Sequence, residues 1–197
     1  MNSPLALSRT ISSGSIQLAE HWASIDPHAA TRRQVEELVA AANAGDFAAS
    51  HSLDRLFSSS IQFGTAGMRG PMEAGSAGLN YVTAMLMAQG TCSMLLADAA
   101  QKGQTAADLS VVIGFDHRSN AANGINSKSI AAVISTAFIS RGVRVHLFSD
   151  FCHTPLVPFT VTNLSATVGI MVTASHNPKL DNGIKVYGNA SSSCHHS

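Results

Sequence analysis

Thr167-Val168-Gly169-Ile170-Met171-Val172-Thr173-Ala174-Ser175-His176-Asn177-Pro178 passes from an unbroken apolar stretch into a polar turn closed by proline. The run Thr167 to Val172 has the length and composition of a strand buried on both faces. Pro178 halts regular structure, so Ser175 is offered from the end of a rigid element, where serine oxygens do covalent chemistry. Lys185 follows in Asp181-Asn182-Gly183-Ile184-Lys185, which lets a cation fold back towards the same place. That arrangement suits a serine carrying phosphate.

Outward from this stretch the pattern is that of a layered α/β protein. Ser110 to Phe115 reads as a buried strand, Asn126 to Ser140 as a helix, Val143 to Phe148 as an alternating strand, and Pro155 as the start of a short helix. Strand, helix, strand, short helix, strand implies right-handed crossovers and a largely parallel sheet. Ile184 to Tyr187 reads as a further strand leading into more protein. Upstream, Leu79 to Ala100 is a long helix whose Met85, Met87 and Leu95 are core filler, not a metal box. Ile61-Gln62-Phe63 reads as a short strand before the glycine-rich segment Gly64-Thr65-Ala66-Gly67-Met68-Arg69-Gly70.

Asp26-Pro27 marks a helix start, with Val35, Leu38, Val39 and Ala42 on one face and Gly45 as its end. A second helix runs from Asp46 to Phe57, and the two pack on the main unit as an extension. The expected boundaries are a flexible leader and helical extension over 1–45, the α/β unit over 46–190, and a disordered tail over 191–197. The leader proper covers residues 1–15. Cys194-His195-His196 in the tail has three adjacent ligand types but nothing to support them, so it reads as an unstructured end.

The totals narrow the partners. Of 197 residues, 45% are hydrophobic and only 12% charged, which favours one packed unit over disorder. Twelve basic residues balance twelve acidic ones, so neither nucleic acid nor an anionic membrane is the expected partner. Phosphate binding must therefore be local. Cys92, Cys152 and Cys194 are widely spaced and read as reduced thiols of a cytoplasmic protein. No apolar run reaches membrane-spanning length.

Three constellations carry chemistry. Ser175 lacks the Gly-x-Ser-x-Gly elbow of acyl-transfer hydrolases, and His176 beside it points the other way in extended backbone. Phosphoryl transfer fits better, because it asks for donors and cations before a tight base. Taken alone, Ser175-His176-Asn177-Pro178 also fits an ordinary turn after a strand. In Gly64 to Gly70, glycines allow close approach to an anion and Arg69 offers a two-pronged donor. In Gly114-Phe115-Asp116-His117-Arg118-Ser119, at the ligand-binding end of a strand, Asp116 orients Arg118 and Ser119 caps the next segment.

In this order, Phe63-Gly64-Thr65-Ala66-Gly67-Met68-Arg69-Gly70, Gly114-Phe115-Asp116-His117-Arg118, Thr173-Ala174-Ser175-His176-Asn177-Pro178 and Asn182-Gly183-Ile184-Lys185 resemble the α-D-phosphohexomutase superfamily. The wording around the serine is most similar to the eukaryotic phosphoglucomutase-2/phosphopentomutase branch. The resemblance covers roughly residues 46 to 190.

It implies a three-layer α/β/α first domain with a largely parallel mixed sheet. It also implies a phosphosugar mutase that exchanges sugar 1-phosphate with 6- or 5-phosphate through a phosphoserine and a bisphosphate. By the resemblance Ser175 is nucleophile and phosphate carrier, with its phosphate as one magnesium ligand. His176 and Lys185 join it as catalytic residues. Arg69, Thr65, Gly67, Asn177 and Arg118 are placed with the substrate, although Asp116 and Arg118 are expected to support the site more than to do chemistry. The implied cofactors are Mg2+ and glucose 1,6-bisphosphate, and the implied partner is a phosphosugar. The aspartate-rich magnesium loop of the family does not occur in the sequence. An apparently truncated chain with little or no turnover alone is therefore expected. The alternatives are a non-catalytic domain binding a phosphosugar or a protein, and a phosphomannomutase fragment.

Overall fold

The computed structural model describes residues 13–64 and 67–188. The rest of the leader, Thr65, and the tail over 191–197 lie outside the described residues. One sheet of six strands organises the main unit: β1 (Phe63–Gly64), β2 (Gly67–Pro71), β3 (Ser110–Phe115), β4 (Arg144–Leu147), β5 (Val168–Val172) and β6 (Asp181–Gly188), in the order β1-β2-β6-β5-β3-β4. β3 lies parallel to both β4 and β5, which is the crossover core expected from the sequence. The other three pairings, β5 with β6, β6 with β2 and β2 with β1, are antiparallel. The sheet is thus mixed in near-equal measure, not largely parallel. Only eight residues separate Val172 from Asp181, too few for the crossover that a parallel return needs.

Alternation along β3 builds three layers. Val111, Ile113 and Phe115 face one core with Ile130, Ile134 and Phe138 of α5 (Ser127–Ile139) and Ala84, Ala88 and Cys92 of α4 (Tyr81–Gln101). Val112 faces the other way, with Met171 of β5 and with Val157 and Val161 of α6 (Leu156–Leu164). A Cβ on Gly114 would lie 2.5 Å from Val157 Cγ2 and 2.6 Å from Cys152 Sγ, so its bare backbone lets the α6 layer close on the sheet. Small residues form the buried stripe of α4. Met85, Met87 and Leu95 sit at its margin, partly buried.

The helix ends follow local chemistry. The Asn80 side chain accepts from Thr83 N–H, and Thr83 Oγ1 accepts in return from Asn80 N–H, a reciprocal cap that starts α4. Asn126 caps α5 through Ser129 N–H. Ser119, expected to cap, instead bridges to Asn126 as an isolated sheet-like pair. Ile61 and Gln62 fall outside β1, because Ile61 N–H donates to Ser76 O at 2.7 Å and leaves the ladder.

The N-terminal extension has three helices: α1 (Ser13–Ile25), α2 (Ala29–Asn43) and α3 (Phe47–Phe57). α1 has no counterpart among the helices expected from the sequence, and Ser13 to Ser15 fall in the stretch read as leader. α2 starts two residues after Pro27, because the Asp26 carboxylate accepts from His28 N–H and from Thr31 Oγ1 and holds the approach to the helix. Trp22, Val35, Leu53, Leu56 and Phe57 share one cluster with Ala74 and Val82. By packing, α3 therefore goes with α1 and α2.

Candidate phosphoserine site

Ser175 sits at the tip of the β5–β6 hairpin, on the edge where β3 and β5 end. Its φ is 57°, in the left-handed region that a side chain disfavours. Thr173, 3% exposed, fixes this geometry: Ser175 N–H donates to Thr173 Oγ1 at 3.0 Å, and Asn177 N–H donates to Ala174 O at 3.0 Å. Ser175 and His176 are exposed. The hairpin continues underneath, with Thr173 N–H donating to Gly183 O at 2.8 Å.

Arg118 grips the loop from below. Its Nη1 donates to Pro178 O (2.7 Å) and Asp181 O (2.8 Å), and its Nη2 to Ser175 O (2.9 Å) and Asn177 O (3.0 Å). Its Nε lies 3.4 Å from Asp116 Oδ2. Asp116 Oδ1 accepts from Arg118 N–H and, at 2.6 Å, from Ser127 Oγ. With all its donor directions engaged within the fold, Arg118 acts as the clasp of the serine loop. Asn177, also expected at the substrate, turns its amide to Asp181 Oδ2 at 3.1 Å.

Two cations share the α6 face of the sheet beside this loop. Arg69 on β2 lies opposite Gly183 of β6, and Lys185 lies opposite Met171 of β5. A Cβ on Gly183 would come within 2.9 Å of Arg69 Cγ and 2.7 Å of Thr173 O, so only glycine leaves room for the arginine stem there. Lys185, two residues beyond Gly183, falls on the same face, a diagonal neighbour roughly 7–8 Å from Arg69. Arg69 Nε is buried without a hydrogen-bond partner among the described residues, a donor suited to an anion. Gly67 has φ 100°, and a Cβ there would sit 2.1 Å from Ile184 O. Its bare backbone permits the close approach of β6.

The geometry thus brings Ser175, His176 and Asn177 into one loop and places Arg69 and Lys185 on the neighbouring strands. Sequence reasoning missed Thr173, Ser127 and Asn182, which hold that loop. A threonine two residues before the serine is a signal for a side-chain-capped turn. Ser127 and Asn182 carry no local signal, since they meet across the fold. Among the described residues, no group of three or more His, Cys, Asp or Glu is placed to hold a metal ion. The described residues therefore do not fit a magnesium site, which asks for near-octahedral oxygen ligation.

The family model for phosphoglucomutase/phosphomannomutase, alpha/beta/alpha domain I, matches residues 60–195. Mus musculus phosphopentomutase is 42% identical over 174 residues, covering 87% of this chain and 26% of the relative. Saccharomyces cerevisiae phosphoribomutase is 40% identical over 79% of this chain and 23% of its own length. Homo sapiens glucose 1,6-bisphosphate synthase is 34% identical over 84% of this chain and 25% of its own length. The chain thus spans about a quarter of the relatives it matches. A solved structure of a protein assigned as a phosphomannomutase from Thermus thermophilus superposes with a TM-score of 0.52 and 28% identity over 66% of this chain and 26% of that one.

Proposed function

The chain belongs to the phosphoglucomutase/phosphomannomutase family through its α/β/α domain I, and on that premise we propose that Ser175 is the phosphoryl carrier of a phosphosugar mutase. The observation that carries this reading is an exposed serine held at positive φ on a hairpin tip, with Arg69 and Lys185 on the strands beside it. Phosphoserine has a charge near minus two at neutral pH, and the two cations supply the local field that the neutral whole chain lacks.

In the proposed reaction the Ser175 Oγ–P bond breaks as a sugar hydroxyl oxygen bonds to phosphorus, and the hydroxyl proton passes to a base. The bisphosphate so formed returns its other phosphoryl group to Ser175 after reorienting. Lys185 and His176 are proposed to assist at the serine, and Arg69 and the Gly67 loop at the phosphate. Thr65 keeps the substrate contact that the resemblance gives it. One relative is named a phosphopentomutase and another a glucose 1,6-bisphosphate synthase, which supports pentose and hexose phosphates as the proposed substrates; glucose 1,6-bisphosphate is our proposed phosphoryl donor. Magnesium at this serine would take its remaining ligands from outside the described residues, and for this chain alone we propose single phosphoryl exchange at Ser175 with little steady-state mutase turnover. A cytoplasmic setting is consistent with the free thiols Cys92 and Cys152.

The test is phosphoryl labelling. Incubation with glucose 1,6-bisphosphate should place one phosphate on Ser175, located by peptide mass spectrometry, and none on Ser175→Ala. A folded chain that stays unlabelled would favour a non-catalytic phosphosugar- or protein-binding domain.

A further inference from the structure

The Arg118 clasp does more than hold the loop. Because peptide units are planar and trans, a carbonyl turned towards Arg118 sends the next N–H the opposite way. Ser175 O and Pro178 O both face the guanidinium, so the N–H groups of His176 and Lys179 are turned away from it. Neither N–H has a hydrogen-bond partner among the described residues. His176 N–H, directly after the serine, is therefore turned outward, away from the clasp.

The clasp is itself set from behind by a chain of buried polar groups. Ser127 and Asn182 are both 0% exposed. Asn182 Nδ2 donates to Ser127 Oγ at 2.8 Å, Ser127 Oγ donates to Asp116 Oδ1 at 2.6 Å, and Asp116 flanks Arg118 Nε. Asn182 Oδ1 accepts from Gly183 N–H at 2.8 Å, and Ser127 N–H donates to Arg118 O at 2.9 Å. The chain ties the first turn of α5, the end of β3 and the start of β6 to one guanidinium. Buried networks of this kind hold their geometry because each member is satisfied only in one arrangement.

We propose that Asn182, Ser127 and Asp116 are positioning residues which, through Arg118, turn the His176 N–H outward as a hydrogen-bond donor to a phosphate on Ser175. The proposal rests on the phosphoryl-carrier reading, yet it can be tested apart from it by installing phosphoserine at position 175 during translation. Amide exchange is then followed residue by residue in the full chain.

In the parent, phosphoserine should slow exchange of the His176 N–H by about tenfold, the scale of one net intramolecular hydrogen bond. Ser127→Ala, Asn182→Leu and Arg118→Lys should each remove that protection while the Val112 and Ala88 amides keep their parental rates. Lysine keeps the charge but cannot make the four-carbonyl fork. Arg118→Lys alters a partly exposed side chain, so it still gives the readout if a buried variant fails to fold. No protection in the parent, or protection that survives in the folded variants, overturns the proposal. So does loss that appears only together with faster exchange at Val112 and Ala88. Failure of glucose 1,6-bisphosphate to label Ser175 would instead count against the carrier reading alone.

Discussion

At the scale of single residues, Ser175 is held where glycine would be more comfortable. A left-handed conformation costs an L-residue about 1–2 kcal/mol, part of which is offset because glycine loses more backbone entropy on folding. Ser175→Gly should therefore be at least as stable as the parent to urea, while losing all phosphoryl acceptance; a loss of more than about 1 kcal/mol would show that the hydroxyl itself supports the fold. Burial raises the thiol of Cys152 above its ordinary 9.0, with Asp116 adding to the rise and a hydrogen bond at Phe115 opposing it. The neutral thiol is favoured in the folded state, so the native state binds more protons than the unfolded one in the window above 9.0, and stability falls as pH rises through it. Urea midpoints between about pH 8 and about pH 10 should decline less steeply in Cys152→Ala. Ser175, Arg69 and Lys185 were legible in the sequence because each stands in a short local motif. The parts of Ser127 and Asn182 were not, because those residues are 55 positions apart and meet only in the fold.

At the scale of elements, the strands and helices nearest the serine were the most readable. β3 matches its expected bounds, and α4, α5, α6 and β5 differ from theirs by a residue or two at their ends, because unbroken Val/Ile runs and Asn caps announce themselves locally. The antiparallel half of the sheet was less legible. The short link from β5 to β6 does imply reversal, but the pairing of β2 with β6 joins Met68 to Ile184 across most of the chain. Gly114 shows how tightly the layers close. Gly114→Ala should cost about 1–3 kcal/mol by overpacking α6, read as a lower urea midpoint. Asn80→Ala should cost about 1–2 kcal/mol for the lost cap, and somewhat more because Asn80 Nδ2 also donates to Glu73 O and Gly75 O.

At the scale of the whole molecule, the helical extension is packed on the α/β unit, not merely strung before it. Its cluster includes Ala74 and Val82 from the main unit, and His28 Nε2 lies 2.6 Å from Asn123 O with its ring edge-on to Tyr81. Leu53→Ala, in the fully buried centre of the three helices, should cost about 2–5 kcal/mol. Arg55→Ala, which breaks a surface pair with Glu73 at 2.8 Å, should cost under about 1 kcal/mol. Both are checked by chemical unfolding of the full chain. α1 escaped notice although Ala19, Trp22 and Ala23 stand at helical spacing, because two alanines make a faint apolar stripe.

The most direct measurement of the carrier reading is a pulse and chase. Chain phosphorylated at Ser175 is mixed with an unlabelled sugar monophosphate, of hexose or pentose, and the label is followed. The account predicts that it leaves Ser175 and appears in a sugar bisphosphate. Label that remains on the serine, or leaves only as inorganic phosphate, would contradict it.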